Sequence, residues 1–338
     1  MTNALQQHFP MIRDKVQLLD EIHHSPALLS VFHSWEERYQ KEFLDFCTGV
    51  RGVKLLYDSF FKAIFNPDIT PKRLERLLSL ILKTEIKILK VLPNDSTRIA
   101  AESSLLVLDI VIQLADGSIA NVEVQKIGYA FPGQRSACYS ADLLLRQYKR
   151  MKGEKGKMFS YKDIKKVYTI VLFEKSTPEF HQFQDIYLHR IKPQSDTGIQ
   201  IELLQEYVFI ALDIFQKTLD NKNNNITDEL EAWLTFLSMD NPDMILKLIE
   251  AYPQFEPLYR EVYEMCRNLE RMMDMFSKEL AELDKNTVQY MIDEMQDMID
   301  AQNNTIDEQN HTIDELTSII EAQKAQLDTL RKEIKLLK

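Results

Sequence analysis

Glycine is scarce, with 8 in 338 residues, about a third of the usual ~7%. With Leu, Ile, Glu and Lys abundant, that shortage points to a helix-rich chain. Three cysteines, Cys47, Cys138 and Cys266, are odd in number and far apart. They exclude a disulfide scaffold and a Cys-type zinc site, and they suit a reducing cytosol. No apolar run approaches the ~18 residues of a membrane span. The N-terminus MTNALQQHFPMIRDKVQLLDEI carries charges where a signal peptide needs an apolar stretch, so a cytoplasmic location is expected. The seven histidines show no HxH or HExxH spacing, which disfavours a histidine metal site or triad. The absence of a GxxxxGK[ST] or GxGxxG run disfavours nucleotide-driven chemistry. Basic residues are the minority, 41 against 52 acidic, for a net charge of −11. Nucleic-acid binding is therefore a question of local charge.

The length predicts two or three domains. Residues 1–54 read as a helical segment, with apolar residues at three- and four-residue intervals (Val16, Leu19, Ile22; Leu28, Val31, Trp35) and a helix start at Ser25-Pro26. Residues 56–66 form a short amphipathic helix closed by Asn66-Pro67, and Thr70-Pro71 opens a long helix through about Leu89. Near Arg98 the texture changes. Residues 105–114 are β-branched and apolar, 119–126 alternate, and Ala115-Asp116-Gly117 between them signals a hairpin. A helix over 134–151 and strands over 166–173 and 199–212 follow, and the chain is helical again from about Thr227.

The C-terminal tail holds a repeat. Ile292, Ile299, Ile306, Ile313, Ile320, Leu327 and Ile334 are seven apart, and each is followed three residues later by Met295, Gln302, Gln309, Leu316, Gln323, Leu330 or Leu337. This is a heptad seam with β-branched a positions and a mixed d row. It runs without glycine or proline over residues 292–338, a rod of about 70 Å. Such a seam cannot bury itself, so a homo-oligomeric coiled coil over 289–338 is expected.

The hairpin register carries the chemistry. A two-residue turn at Asp116-Gly117 would set Ile110 against Glu123 and mix the two faces. A three-residue turn over Ala115–Gly117, with Gly117 left-handed, sets Leu108, Ile110 and Ile112 against Val124, Val122 and Ala120 on one apolar face. Because a one-residue slip flips every side chain, core burial selects this second register. It places Asp109 opposite Glu123, and Val107 opposite Gln125, on the other face. Two carboxylates ~5 Å apart repel, and solvent, a shared proton or a cation must offset that. Hard divalent cations prefer such oxygens, Mg²⁺ taking one or two carboxylates plus phosphate oxygens. A solvated polar face with two tolerated acids is the plainer alternative.

Asp58-x-x-Phe61-Lys62, Asp109, the hairpin, Glu123-x-Gln125, Arg135-x-x-x-Tyr139 and Tyr161 occur in an order that resembles the PD-(D/E)XK nuclease superfamily, in its recombination-promoting nuclease and transposase branch. The resemblance covers roughly residues 55–215. It implies an α/β fold, a restriction-endonuclease-like mixed sheet with flanking helices, and hydrolysis of DNA phosphodiester bonds with Mg²⁺ or Mn²⁺. It further implies that Asp109 and Glu123 hold the metal and that Gln125 positions the water or the scissile phosphate. Asp58 would assist from a helix near the metal; alternatively it is an N-terminal carboxylate favoured by the helix dipole. Lys62, one turn on, would meet a phosphate or pair with Asp58. Gln125 departs from the superfamily pattern, which has a lysine there, although this branch commonly carries Gln. Lys126 is no substitute, because alternation points it to the opposite face.

Between Arg135 and Lys175 eleven Lys or Arg face four acids. Arg135, Tyr139 and Arg146 share a helical face there and are expected to contact the DNA backbone, phosphate contacts being the main source of non-specific affinity. The expected organisation is a helical segment 1–54, a nuclease-like domain 55–215, a helical segment 216–288 and the coiled coil 289–338. No membrane association is expected. Two other readings stand beside the nuclease: an inactive nuclease fold that binds DNA, and a scaffolding protein whose working part is the coiled coil.

Overall fold

The computed structural model describes residues 3–92, 110–126 and 132–336. Asp109, and with it the Asp109–Glu123 pair, lies outside the described residues, as do Val107 and Leu108.

Four short helices open the chain: α1 (Ala4–His8), α2 (Lys15–His24), α3 (Pro26–Ser34) and α4 (Glu37–Cys47). The starts of the first three are written in the sequence. Asn3 and Asp14 form capping boxes with Gln6 and Gln17, and Ser25 caps α3 with Pro26 at the first helical position. Next come α5 (Asp58–Ile64) and α6 (Pro71–Leu82). The helix expected to reach Leu89 instead ends at Leu82, where Lys83 turns left-handed at φ 56°. Side chains of α6 then capture the departing chain: Ser79 Oγ accepts the Ile86 N–H at 2.9 Å and Glu75 Oε1 accepts that of Ile88 at 2.8 Å. Ile88–Val91 thereby becomes the edge strand β1.

The sheet continues with β2 (Ile110–Leu114) and β3 (Ile119–Gln125), then helix α7 (Pro132–Lys155), β4 (Val167–Phe173), β5 (Leu188–Ile191) and β6 (Gln205–Ala211). The six strands lie in the order β1-β2-β3-β4-β6-β5. β3, β4 and β6 are parallel and the other pairings antiparallel. The strand expected over 199–212 is confined to its second half. β5 is an edge strand whose sequence, Leu-His-Arg-Ile, has no alternation to betray it.

The hairpin has the register that core burial selects. Ile110 pairs with Val122, Val111 with Asn121 and Ile112 with Ala120. The turn is closed by Gly117 N–H to Leu114 O at 2.9 Å and Leu114 N–H to Ser118 O at 2.8 Å, with Gly117 at φ 90°. That positive φ is why glycine stands here.

Both sheet faces are covered. On one, Ile110, Ile112, Ala120, Val122, Ile170, Leu172, Val208 and Ile210 join a core shared with the N-terminal helices and with α8 (Leu212–Asn221), α9 (Glu229–Ser238), α10 (Pro242–Ala251), α11 (Glu256–Met265) and the start of α12 (Leu269–Leu336). On the other, α7 packs Tyr139 and Leu143 over Val111, Ile119 and Val167. Residues Met1–Asp284 form one compact unit and Lys285–Lys338 a second. No helix among the described residues is long and apolar enough to cross a membrane.

Candidate active site

Strand alternation divides β3 into two rows. Ala120, Val122 and Val124 face the main core, while Asn121, Glu123 and Gln125 face α7 and are at most 4% exposed. A carboxylate so deeply buried must be paired or hydrogen-bonded to persist as an anion. Glu123 meets that requirement. Its Oε1 accepts from Gln125 Nε2 at 3.1 Å and lies 4.0 Å from Arg135 Nε. Arg135 Nε donates to the Tyr139 hydroxyl at 2.7 Å. Burial first, then the Glu123 charge, push that hydroxyl well above its usual pKa. Tyr139 thus keeps its proton at neutral pH and holds Arg135 against the carboxylate.

The helix supplies this arrangement through its period. Ser136, Tyr139, Ser140, Asp142, Leu143 and Gln147 are the buried residues of α7, spaced by three and four so that they line one face. Gln205 Nε2 on β6 donates to Ser140 Oγ at 3.0 Å, and Gln147 Nε2 donates to the Lys165 carbonyl at 3.2 Å. These bonds fix the height and rotation of α7 over the sheet, and therefore where Arg135 sits. Arg146 pairs with Asp142 at 2.7 Å.

The structure brings Glu123, Gln125, Arg135 and Tyr139 together. Tyr139 is fully buried, beneath Arg135 rather than at the surface. Asp58 is the first residue of α5 and pairs with Lys62 at 2.8 Å, within electrostatic reach of Lys126. Lys126 points to the face opposite Gln125, as alternation requires. Its ammonium lies 4.0 Å over the Tyr57 ring and is ion-paired with the buried Glu279 of α12. Burial draws the Lys126 pKa down to about 7 against the opposing pull of Glu174 and Asp58. The direct ion pair with Glu279 favours the charged form as well.

Two polar residues at this site escaped the sequence reading. Asn121 continues the Glu123 row and pairs in register with Thr169 of β4, both fully buried. Asp142 lies one turn beyond Tyr139 and is also buried. Period-two stepping back from Glu123 and period-three stepping on from Tyr139 would have reached them.

The donor chemistry fits a hard cation. Glu123 offers carboxylate oxygens. Gln125 Oε1 is buried without a hydrogen-bond partner among the described residues, its amide nitrogen being committed to Glu123. These are oxygen ligands of the kind Mg²⁺ and Mn²⁺ select. The described residues contain no cluster of three or more His, Cys, Asp or Glu placed to hold a metal.

No curated protein and no solved structure matches the chain. A family model described as PD-(D/E)XK nuclease family transposase matches residues 55–294, well over half of the sequence. That span begins just before α5, takes in the whole sheet and α7, and ends within α12. On this match, the chain belongs to the PD-(D/E)XK nuclease family transposases.

Proposed function

We propose that the protein is a metal-dependent DNA endonuclease. The observation that carries this reading is the buried Glu123–Gln125 pair at the carboxyl end of β3, held beneath Arg135, in a hairpin whose register pairs Ile110 with Val122. Asp109 immediately precedes Ile110 in the chain, and we assign it as the second carboxylate. Asp109 and Glu123 hold Mg²⁺ or Mn²⁺. When bound, the cation supplies Lewis-acid stabilisation of the phosphate and lowers the pKa of the attacking water. Gln125 directs its carbonyl oxygen toward that water or toward the scissile phosphate. Arg135, positioned by Tyr139, binds a phosphate oxygen, and Arg146 and Lys62 contact the backbone further along. Asp58 assists through a water or a second metal. The exposed apolar seam of α12 joins copies of the chain, so that two sites act on two strands.

Nicking of supercoiled plasmid with Mg²⁺, Mn²⁺ or EDTA tests this reading. Asp109→Ala and Glu123→Ala should each abolish cleavage while leaving DNA binding largely intact, because removing an anionic ligand does not repel phosphate. Full cleavage by both variants would refute the site. One observation supports a second reading, a DNA-binding protein without hydrolysis: Gln125 provides no positive charge where the superfamily has a lysine. Wild-type protein that binds DNA but never cuts it with either metal would establish that alternative.

A further inference from the structure

The far end of α7 carries a feature that phosphate hydrolysis does not require. Tyr148 and Tyr161 lie nearly parallel, 15° between planes and 6.2 Å between centroids. Phe159 meets both edge-on, at 5.4 and 5.5 Å. Such a trio ordinarily serves to close a loop onto a helix, and Phe159 and Tyr148 are partly covered accordingly. Tyr161 is different, being 75% exposed. A ring stacked on one side and so open on the other presents an aromatic face to solvent, and that surface costs free energy unless something covers it.

The charge around the trio is predominantly basic. From Tyr148 to Lys166 there are eight Lys or Arg and two acids, Glu154 and Asp163, and Asp163 is already paired with Lys155. Lys152, Lys157 and Lys162 are exposed and have no carboxylate partner among the described residues. Lys152 instead donates to the Tyr148 hydroxyl at 3.0 Å, its ammonium 5.3 Å from that ring. An apolar protein partner would leave these ammoniums facing carbon. An acidic peptide would use them but not the open ring. An aromatic face set among unpaired cations fits a polyanion that carries flat rings of its own, which is single-stranded nucleic acid. A duplex hides its bases in the stack and would use the lysines alone.

We propose that Tyr161, backed by Tyr148 and Phe159 and flanked by Lys152, Lys157 and Lys162, is a stacking platform for unpaired bases of the DNA substrate. This rests on the DNA-directed reading above and names the substrate class: duplex bearing a single-stranded arm. Arg135 and Tyr148 are separated along α7 by about 20 Å of helix. One helix therefore carries both the phosphate contact beside Glu123 and the base platform, and the arm is held away from the scissile bond.

The test is binding by anisotropy in EDTA, with a blunt duplex and the same duplex carrying a thymine tail. Wild type should favour the tailed DNA about tenfold, since one stacked base is worth roughly that factor or more. Tyr161→Ala should abolish the preference and leave blunt binding within about twofold. Tyr161→Phe should retain the preference. Lys157→Gln with Lys162→Gln should weaken both DNAs and flatten the salt dependence. Tyr161→Trp gives a second readout, because the two native tryptophans, Trp35 and Trp233, are buried. Its fluorescence should be quenched by the tailed DNA and not by the blunt. Equal wild-type affinity for both DNAs, equal loss on both with Tyr161→Ala, or no selective quenching would overturn the platform while leaving the nuclease reading intact. Failure to bind either DNA would overturn both. Loss of cleavage with the tail preference preserved would overturn only the nuclease reading.

Discussion

At position 125 an amide replaces an ammonium, and the two side chains solve different problems. A lysine would sit beside the buried Glu123 as its counter-ion. Gln125 donates one hydrogen bond to that carboxylate and keeps its carbonyl oxygen as a neutral donor, while the positive charge comes from Arg135 on α7. Since Arg135 already supplies a cation, Gln125→Lys should remain active in the nicking assay, whereas Gln125→Ala should lose most activity, having neither donor nor acceptor. An inactive but folded Gln125→Lys variant would mean that the amide oxygen itself is needed. A separate prediction concerns Glu231, buried on α9. Burial raises its pKa, but the bonds from Lys222 at 2.9 Å and from Thr227 at 2.8 Å outweigh that and hold it below the ordinary carboxylate value. A carboxyl with a depressed folded pKa stabilises above its unfolded pKa, ~4.3, and the stabilisation is lost as pH falls through the folded value. Glu231→Gln should therefore melt earlier than wild type at pH 7, and the gap should close below about pH 4.

Strand β3 is anchored on both sides. On one, Glu123 and Gln125 meet α7. On the other, the next residue, Lys126, is ion-paired with Glu279 in a buried setting that includes Tyr57, Asp58 and Glu174. Breaking a buried pair strands a charge and costs about 3–5 kcal/mol, while replacing both members by apolar residues is often neutral. Lys126→Met should destabilise by about that amount in urea unfolding, and Lys126→Met with Glu279→Met should recover most of it. Additive losses would show that the two side chains do not act on each other. Much of this element was legible. Period-two alternation put Lys126 opposite Gln125, and the choice between two turns gave the hairpin pairing from Ile110 to Gln113. The end of α6 was not legible, because Leu-Lys-Thr-Glu-Ile continues a helical pattern. Only the Ser79 and Glu75 side chains, bonding to backbone beyond the helix, turn it into β1. Nor was the burial of Asn121 legible, since a polar row on a strand reads as a solvated face until a helix covers it.

At the scale of the whole molecule the unbalanced feature is α12. Its helix runs from Leu269 to Leu336. Beyond the compact unit ending at Asp284 it exposes Ile299, Ile306, Ile313, Ile320 and Leu327, each close to half accessible. A continuous apolar stripe of that length marks an interaction surface. A 3.5-residue hydrophobic repeat is the pattern that two or more copies bury against one another. Isoleucine at a with leucine at d favours two strands, and Gln302, Gln309 and Gln323 in the d row fix register at some cost in stability. Residues 292–338 hold eleven acidic and five basic side chains, so this segment is expected to repel DNA and to serve by holding cores together. Joining two cores makes the second binding event intramolecular, at an effective concentration set by the linkage. Light scattering should give a dimer for the full chain, a trimer being the next expectation, and a monomer for a chain ending at residue 290. The truncated protein should fold, bind DNA more weakly, and yield more nicked than linear plasmid. A monomeric full-length protein at micromolar concentration would refute the association, and the isoleucine row would then have to pack within its own chain.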